Sequence, residues 1–210
     1  GTMTTSVASP GTPPGTCRAA NVTSNTTDAA INAIDTGIEV DARMRRSGTI
    51  SFWYRLPTAW ASTSDRELFD ATTVTNRVFS LFKRTSGGNA TLRFSLTDAA
   101  NNTVSATTGN LNFAANTWVH IAVTWSYGTS PRARIFVNGV QQVSTNLNNT
   151  STNSLNSSIG TLYVGDNRST VTGAFGTPNS ADEQMDEVRI YTNERTTAEI
   201  TADMNRTRAC

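Results

Sequence analysis

The sequence predicts an all-β domain, a two-sheet antiparallel β-sandwich of the jelly-roll type with a short C-terminal helix. Three observations predict it: short period-two runs bounded by turn residues after residue 48, an Asn-Gly pair set between two such runs, and a helix-start signature near the C-terminus.

The first run is Thr49 to Arg55, where Ile50, Phe52 and Tyr54 share one face. Arg77 to Lys83 sets Val78, Ser80 and Phe82 against Phe79 and Leu81, and Thr91 to Leu96 puts Leu92, Phe94 and Leu96 together. Trp118 to Trp125 is apolar on both faces, which predicts a central strand. Arg134 to Val137 and Val140 to Val143 flank Asn138-Gly139, whose residues tolerate the two positive φ angles of a type I′ hairpin turn. Further strands are expected at about 158 to 164 and 185 to 191. Thr196-Thr197-Ala198-Glu199 has capping-box spacing and opens a helix through Ile200 and Met204.

Composition narrows the function classes. The 210 residues are 37% hydrophobic and 16% charged, with net charge +1, so there is no field to gather phosphate backbones and nucleic acid is not an expected partner. No apolar run reaches the length of a membrane helix, so no membrane insertion by this segment is expected. Gly1 to Met3 read as a cloning scar, and an export signal or anchor of a larger parent protein would then lie outside this sequence. Residues 1 to 16 hold half of the prolines and little that is apolar, which predicts a tag scar and flexible linker ahead of one domain over 17–210.

Cys17 and Cys210, near the two ends of that domain, read as a disulfide in preference to two free thiols. Closing so long a loop is worth about 4 to 5 kcal/mol at most on chain-entropy grounds, and the bond would form in an oxidising compartment. An extracellular or cell-surface location follows as an expectation.

The order of motifs carries a resemblance. Gly48 to Tyr54 (GTISFWY), Asn116 to Trp125 (NTWVHIAVTW), Ile135 to Gly139 (IFVNG), Leu162 to Gly165 (LYVG), Met185 to Tyr191 (MDEVRIY) and then Ala198-Glu199-Ile200 together resemble the laminin G-like jelly roll of the concanavalin A-like lectin and glucanase superfamily, over roughly residues 30 to 205. The resemblance implies two packed antiparallel sheets, one of them concave, with chain ends close together, in agreement with a Cys17–Cys210 bond. The Thr- and Asn-rich composition is also similar to that of laminin G-like domains in exported bacterial proteins, including a pilus biogenesis protein of the mannose-sensitive haemagglutinin type.

Candidate sites follow. His120, the only histidine, sits mid-strand, where the family pattern implies a structural role, so a serine- or cysteine-type triad has no base to use. Glycosidases of the same broad fold place paired acids on one strand face. The nearest stretches here, Asp182 to Glu187 and Ser64 to Glu67, lack that pattern, and no catalytic residue is expected. Calcium (Ca2+) suits the acids better, because a hard cation takes six to eight oxygens from rim loops. Similarity to calcium-binding relatives points to Asp65, Asp166, Asn167, Asp182 and Glu183 as ligands, although Arg66 stands where an Asn would help.

For a sugar, an exposed flat ring with polar neighbours is needed. Trp60, in a loop, and Tyr127 are the ligand-binding candidates; a cap on the sandwich edge is the reading Trp60 favours over a ligand contact, while Trp53, Trp118 and Trp125 are expected to pack within or across the sheets. These readings combine as a non-catalytic recognition or adhesion module that binds glycan or protein through rim loops. The alternatives are a structural spacer and a glycoside hydrolase or lyase.

Overall fold

Alternation sorts each strand into an inward apolar row and an outward row, and burying two such rows against each other builds the domain. The computed structural model describes residues 4–8, 18–22, 33–74, 76–148, 153–166 and 184–206. In chain order these form β1 (Thr4–Ala8), β2 (Arg18–Asn21), β3 (Ile34–Glu39), the single-turn helix α1 (Val40–Arg43), β4 (Ser47–Arg55), a 3-10 turn (Trp60–Ser62), β5 (Arg66–Thr72), β6 (Phe79–Ser86) and β7 (Asn89–Thr97). Then come β8 (Thr103–Thr107), β9 (Trp118–Ser126), β10 (Arg132–Val137), β11 (Val140–Asn146), β12 (Ile159–Val164), β13 (Gln184–Tyr191) and α2 (Thr197–Met204). Two antiparallel sheets result, of seven strands in the order β1-β2-β13-β4-β9-β10-β11 and of six in the order β3-β12-β5-β6-β7-β8.

The core is the double row between them. Ile50, Phe52 and Tyr54 of β4 and Val119, Ile121, Val123 and Trp125 of β9 share one buried cluster with Phe79 and Leu81 of β6 and Leu92, Phe94 and Leu96 of β7. Each such side chain contributes about 1.5 to 3 kcal/mol on burial. Edge-on ring contacts organise its centre, with Phe79 5.0 Å from Trp125 and 5.5 Å from Phe94. The Trp125 indole N–H donates to the Met44 carbonyl at 3.1 Å. Gly48 is required beneath that ring, since a Cβ there would stand 2.4 Å from it.

The expected hairpin forms, with Asn138 at φ 49 and Gly139 at φ 78, and β9 lies between β4 and β10 as its two apolar faces require. Helix α2 starts with the predicted capping box, the Thr196 hydroxyl accepting from the Glu199 amide and the Glu199 carboxylate from the Thr196 amide.

Five strands, β1, β2, β3, β5 and β8, lie where period-two reading found none. β5 is buried at every position, acids included, so its polarity does not alternate. β8 (TVSAT) is too polar to stand out. Thr4–Ala8, inside the expected flexible linker, pairs with β2 at the edge of the larger sheet; backbone pairing needs no apolar side chain, and TTSVA is rich in β-branched residues. Asn supplies four of the five non-glycine residues at positive φ among the described residues, Asn76, Asn101, Asn116 and Asn138.

Candidate functional site

Strand register decides which side chains share the outer face of the seven-stranded sheet. Arg55 of β4 lies opposite Trp118 of β9, and Trp53 opposite His120, with Asp186 of β13 on the other flank of Trp53. Trp53 and Trp118 are therefore diagonal neighbours on one face, and both are half-buried. The Arg55 guanidinium stands 6.0 Å from the Trp118 ring and donates to Gln184 Oε1 at 3.1 Å and Asn116 Oδ1 at 2.8 Å. Asn116 reaches that place from a loop residue at φ 62, with its own amide on the Leu56 carbonyl. This end of the face thus carries two partly open indoles, a fixed cation and two amide side chains.

The other end is closed by α2. Ile200 packs on Ala122 and Phe136, two outward residues of β9 and β10. Arg189 of β13 pairs with Glu187 and donates to the Asp203 carbonyl; Arg195 bridges Glu199 and Asp203, each at 3.1 Å. Glu187 itself is held at φ 48 beside a register break between Asp186 and Arg189. His120 is buried between the two ends, 5.3 Å from Trp53. Burial, then the Arg189 charge, lowers its pKa to about 4 against the opposing pull of Asp203. The ring is neutral at physiological pH and its Nδ1 has no hydrogen-bond partner.

The rim-loop aromatics are not available to a ligand. Trp60 is fully buried, its ring 5.8 Å from Tyr54 and 5.0 Å from Phe113. Lys83, the only lysine of the chain, holds that loop from below: its ammonium is buried and donates to the carbonyl of Trp60 at 3.0 Å and to Thr85 Oγ1 at 2.6 Å. Burial, then Arg66, lowers the Lys83 pKa to about 8, with Asp65 opposing. Tyr127 is likewise buried, in the main core cluster. Both rings belong to the sandwich, because a loop aromatic beside an open sandwich end removes more apolar surface from water by folding inward than by staying out. Conversely Trp53 and Trp118, expected to pack within the sheets, lie on an outer face; only Trp125 of the three is in the core.

Two of the predicted cation ligands, Asp65 and Asp166, lie among the described residues. Asp65 accepts the Thr85 amide at 2.7 Å and pairs with Arg84 at 3.7 Å. Asp166 is fully buried near Glu67 of β5. Burial, then Asp70 and Asp166, pushes the Glu67 carboxyl well above the usual carboxylate range. Glu67 lies opposite Phe82 and Asp70 opposite Ser80, and the register break between them puts acids three residues apart on one face. That bulge is why period-two reading missed them. Among the described residues no three Asp, Glu, His or Cys side chains converge to hold a metal ion. Both β5 acids are buried, so neither is open to a glycosidic bond. Asn167, Asp182, Glu183, Cys17 and Cys210 lie outside the described residues.

Comparison with known proteins agrees with this architecture. The sequence profile described as the concanavalin A-like lectin/glucanases superfamily, of laminin G type, matches residues 24–201. No curated protein sequence matches. Among solved structures, the botulinum neurotoxin type G receptor binding domain is 15% identical with a TM-score of 0.57, covering 96% of this chain and 46% of that one. The binding domain of botulinum neurotoxin DC in complex with rat synaptotagmin II is 16% identical with a TM-score of 0.59, covering 98% and 45%. The same domain in complex with SialylT is 17% identical with a TM-score of 0.51, covering 77% and 36%. The chain spans under half the length of each, and at these identities the likeness is one of fold. With the two-sheet sandwich in place and the profile spanning most of its length, the chain belongs to the laminin G-like branch of the concanavalin A-like lectin/glucanase superfamily.

Proposed function

We propose that this domain is a non-catalytic recognition module that binds a glycan through the open end of its seven-stranded sheet. The observation that carries the reading is the pair of half-buried indoles, Trp53 and Trp118, with Arg55 held beside them by Gln184 and Asn116. An indole face stacks on the C–H face of a pyranose, and a guanidinium and two carboxamides supply donors and acceptors for hydroxyl or carboxylate groups. The fold neighbours whose complexes hold SialylT and synaptotagmin II support glycan and protein as ligand classes. The rim loops give way to this strand face because Trp60 and Tyr127 are buried.

A glycan array followed by calorimetry tests it. Trp53→Ala and Trp118→Ala should each weaken the best glycan by about tenfold or more while the domain stays folded. An array blank for the intact domain, or affinity indifferent to both changes, refutes the glycan reading and leaves the spacer. Calcium dependence enters through Asp166, the fully buried member of the expected ligand set. The expected sign is a rise in melting temperature with calcium that chelator reverses and that Asp166→Asn removes. We place the module in an exported surface or pilus-associated protein, which a Cys17–Cys210 bond in native material would support.

A further inference from the structure

A sheet edge is a row of unpaired amides and carbonyls, and folded proteins that stay monomeric blunt it with charges, prolines, bulges or positive-φ glycines. β3, at one end of the six-stranded sheet, has such devices: the carboxylates of Asp35 and Glu39, Gly37 at φ 64, and a break in its register with β12. β11, at one end of the seven-stranded sheet, differs. Its sequence, VQQVSTN, contains no charge, proline or glycine. Among the described residues β10 is its only strand partner. Val140 is 61% exposed, one of two large apolar side chains so open among the described residues, and Val143 packs against the core from this edge while still half-open.

The β10–β11 register narrows where another strand could add. It is regular from Arg132 opposite Asn146 to Ile135 opposite Val143, then slips beside Gln142, whose amide turns back on the Val140 carbonyl at 3.3 Å. The turn end is thus bulged, and Val143 to Asn146 is the regular part, with no second strand beside it among the described residues. We propose that this segment pairs antiparallel with the same segment of a second copy, about a two-fold axis normal to the sheet. Such an axis passes between Ser144 and its own twin and sets Val143 against Thr145 of the second copy, because directly opposed residues of an antiparallel pair share a face. A two-fold brings any charge on the strand near its own twin, so an isologous edge must be free of charge. β11 is neutral throughout, although its neighbour β10 carries Arg132 and Arg134.

Pairing continues one seven-stranded sheet into the next, with the outer faces on the same side. From β4 to its twin the path crosses seven strand spacings, roughly 34 Å. If the glycan reading also holds, two open tryptophan pairs face one surface at that spacing, and avidity multiplies a weak single-site affinity. The pairing itself does not rest on that reading.

Sedimentation equilibrium of the full chain, from about 1 µM to about 1 mM, tests the pairing. The expected result is a mass that rises toward twice the monomer. Ser144→Lys, at an exposed position, should weaken association about tenfold or more by setting lysines across the axis, while Ser144→Ala should leave it intact. Circular dichroism checks that both variants keep the fold, and hydrogen exchange should show the amides of residues 143 to 146 slowing as concentration rises. A mass that stays monomeric over the whole range, or a dimer indifferent to Ser144→Lys in a folded variant, overturns the proposal.

Discussion

On the outer face of the seven-stranded sheet Arg189 lies between Glu187 and the end of α2, whereas on that of the six-stranded sheet Glu67 lies beside two more acids. Both faces bury ionisable groups. The first sets each charge beside an opposite partner, and these pairs hold the helix over Ala122 and Phe136. The second sets like charges together and favours the protonated form of Glu67. The difference teaches that burial of a carboxylate says nothing by itself about stability; the neighbours decide the sign.

The comparison can be broken most severely at Arg189. Arg189→Ala strips Glu187 of its guanidinium and the end of α2 of a donor, and should cost about 3 to 5 kcal/mol in urea unfolding. A loss below about 1 kcal/mol would mean the paired face owes little to its ions.

His120 sharpens the comparison through pH. Its folded pKa of about 4 lies below the unfolded value of 6.5, so its contribution is fully present above pH 6.5 and is lost as pH falls through 4. Roughly 3 kcal/mol should disappear over that window, and His120→Gln should flatten the slope of stability against pH there.

Glu67 runs the other way. Its folded pKa is raised, so the folded state keeps its proton to higher pH than the unfolded chain does, and stability rises as pH falls toward the unfolded carboxylate range. Glu67→Gln should therefore stabilise the domain above the unfolded carboxylate range, a gain that fades in acid. Destabilisation at neutral pH would show that the carboxylate is satisfied after all. The smallest effect is expected at the start of the helix that closes the paired face, where Thr196→Ala should cost about 1 kcal/mol in the same unfolding measurement.

Most of the sandwich was legible from local pattern. The runs at β4, β6, β7 and β9, the Asn138-Gly139 hairpin and the α2 capping box each state their geometry in a few adjacent residues. β5 was not, because it is covered on both faces and slips register between Glu67 and Phe69. The candidate site was less legible. Trp60 looked accessible because it is in a loop, but that loop closes over Lys83 and against Phe113, contacts distant in sequence. Trp53 and Trp118 looked internal because they lie in strands, yet they occupy the outward parity beyond the reach of α2. The contacts of Asp65 with Thr85 and Arg84 were likewise not legible, since both partners lie some twenty residues away on β6.

By itself, then, the sequence determined eight of the thirteen described strands, which side of most of these turns inward, and where one turn and one helix begin. Those properties depend on spacing and on residues a few positions apart. Only the tertiary structure decided which outward faces are covered and which acids meet. Coverage and charge neighbourhood arise from elements far apart in the chain, such as α2 over β9 and β10 or Asp166 near β5, and no local period encodes them.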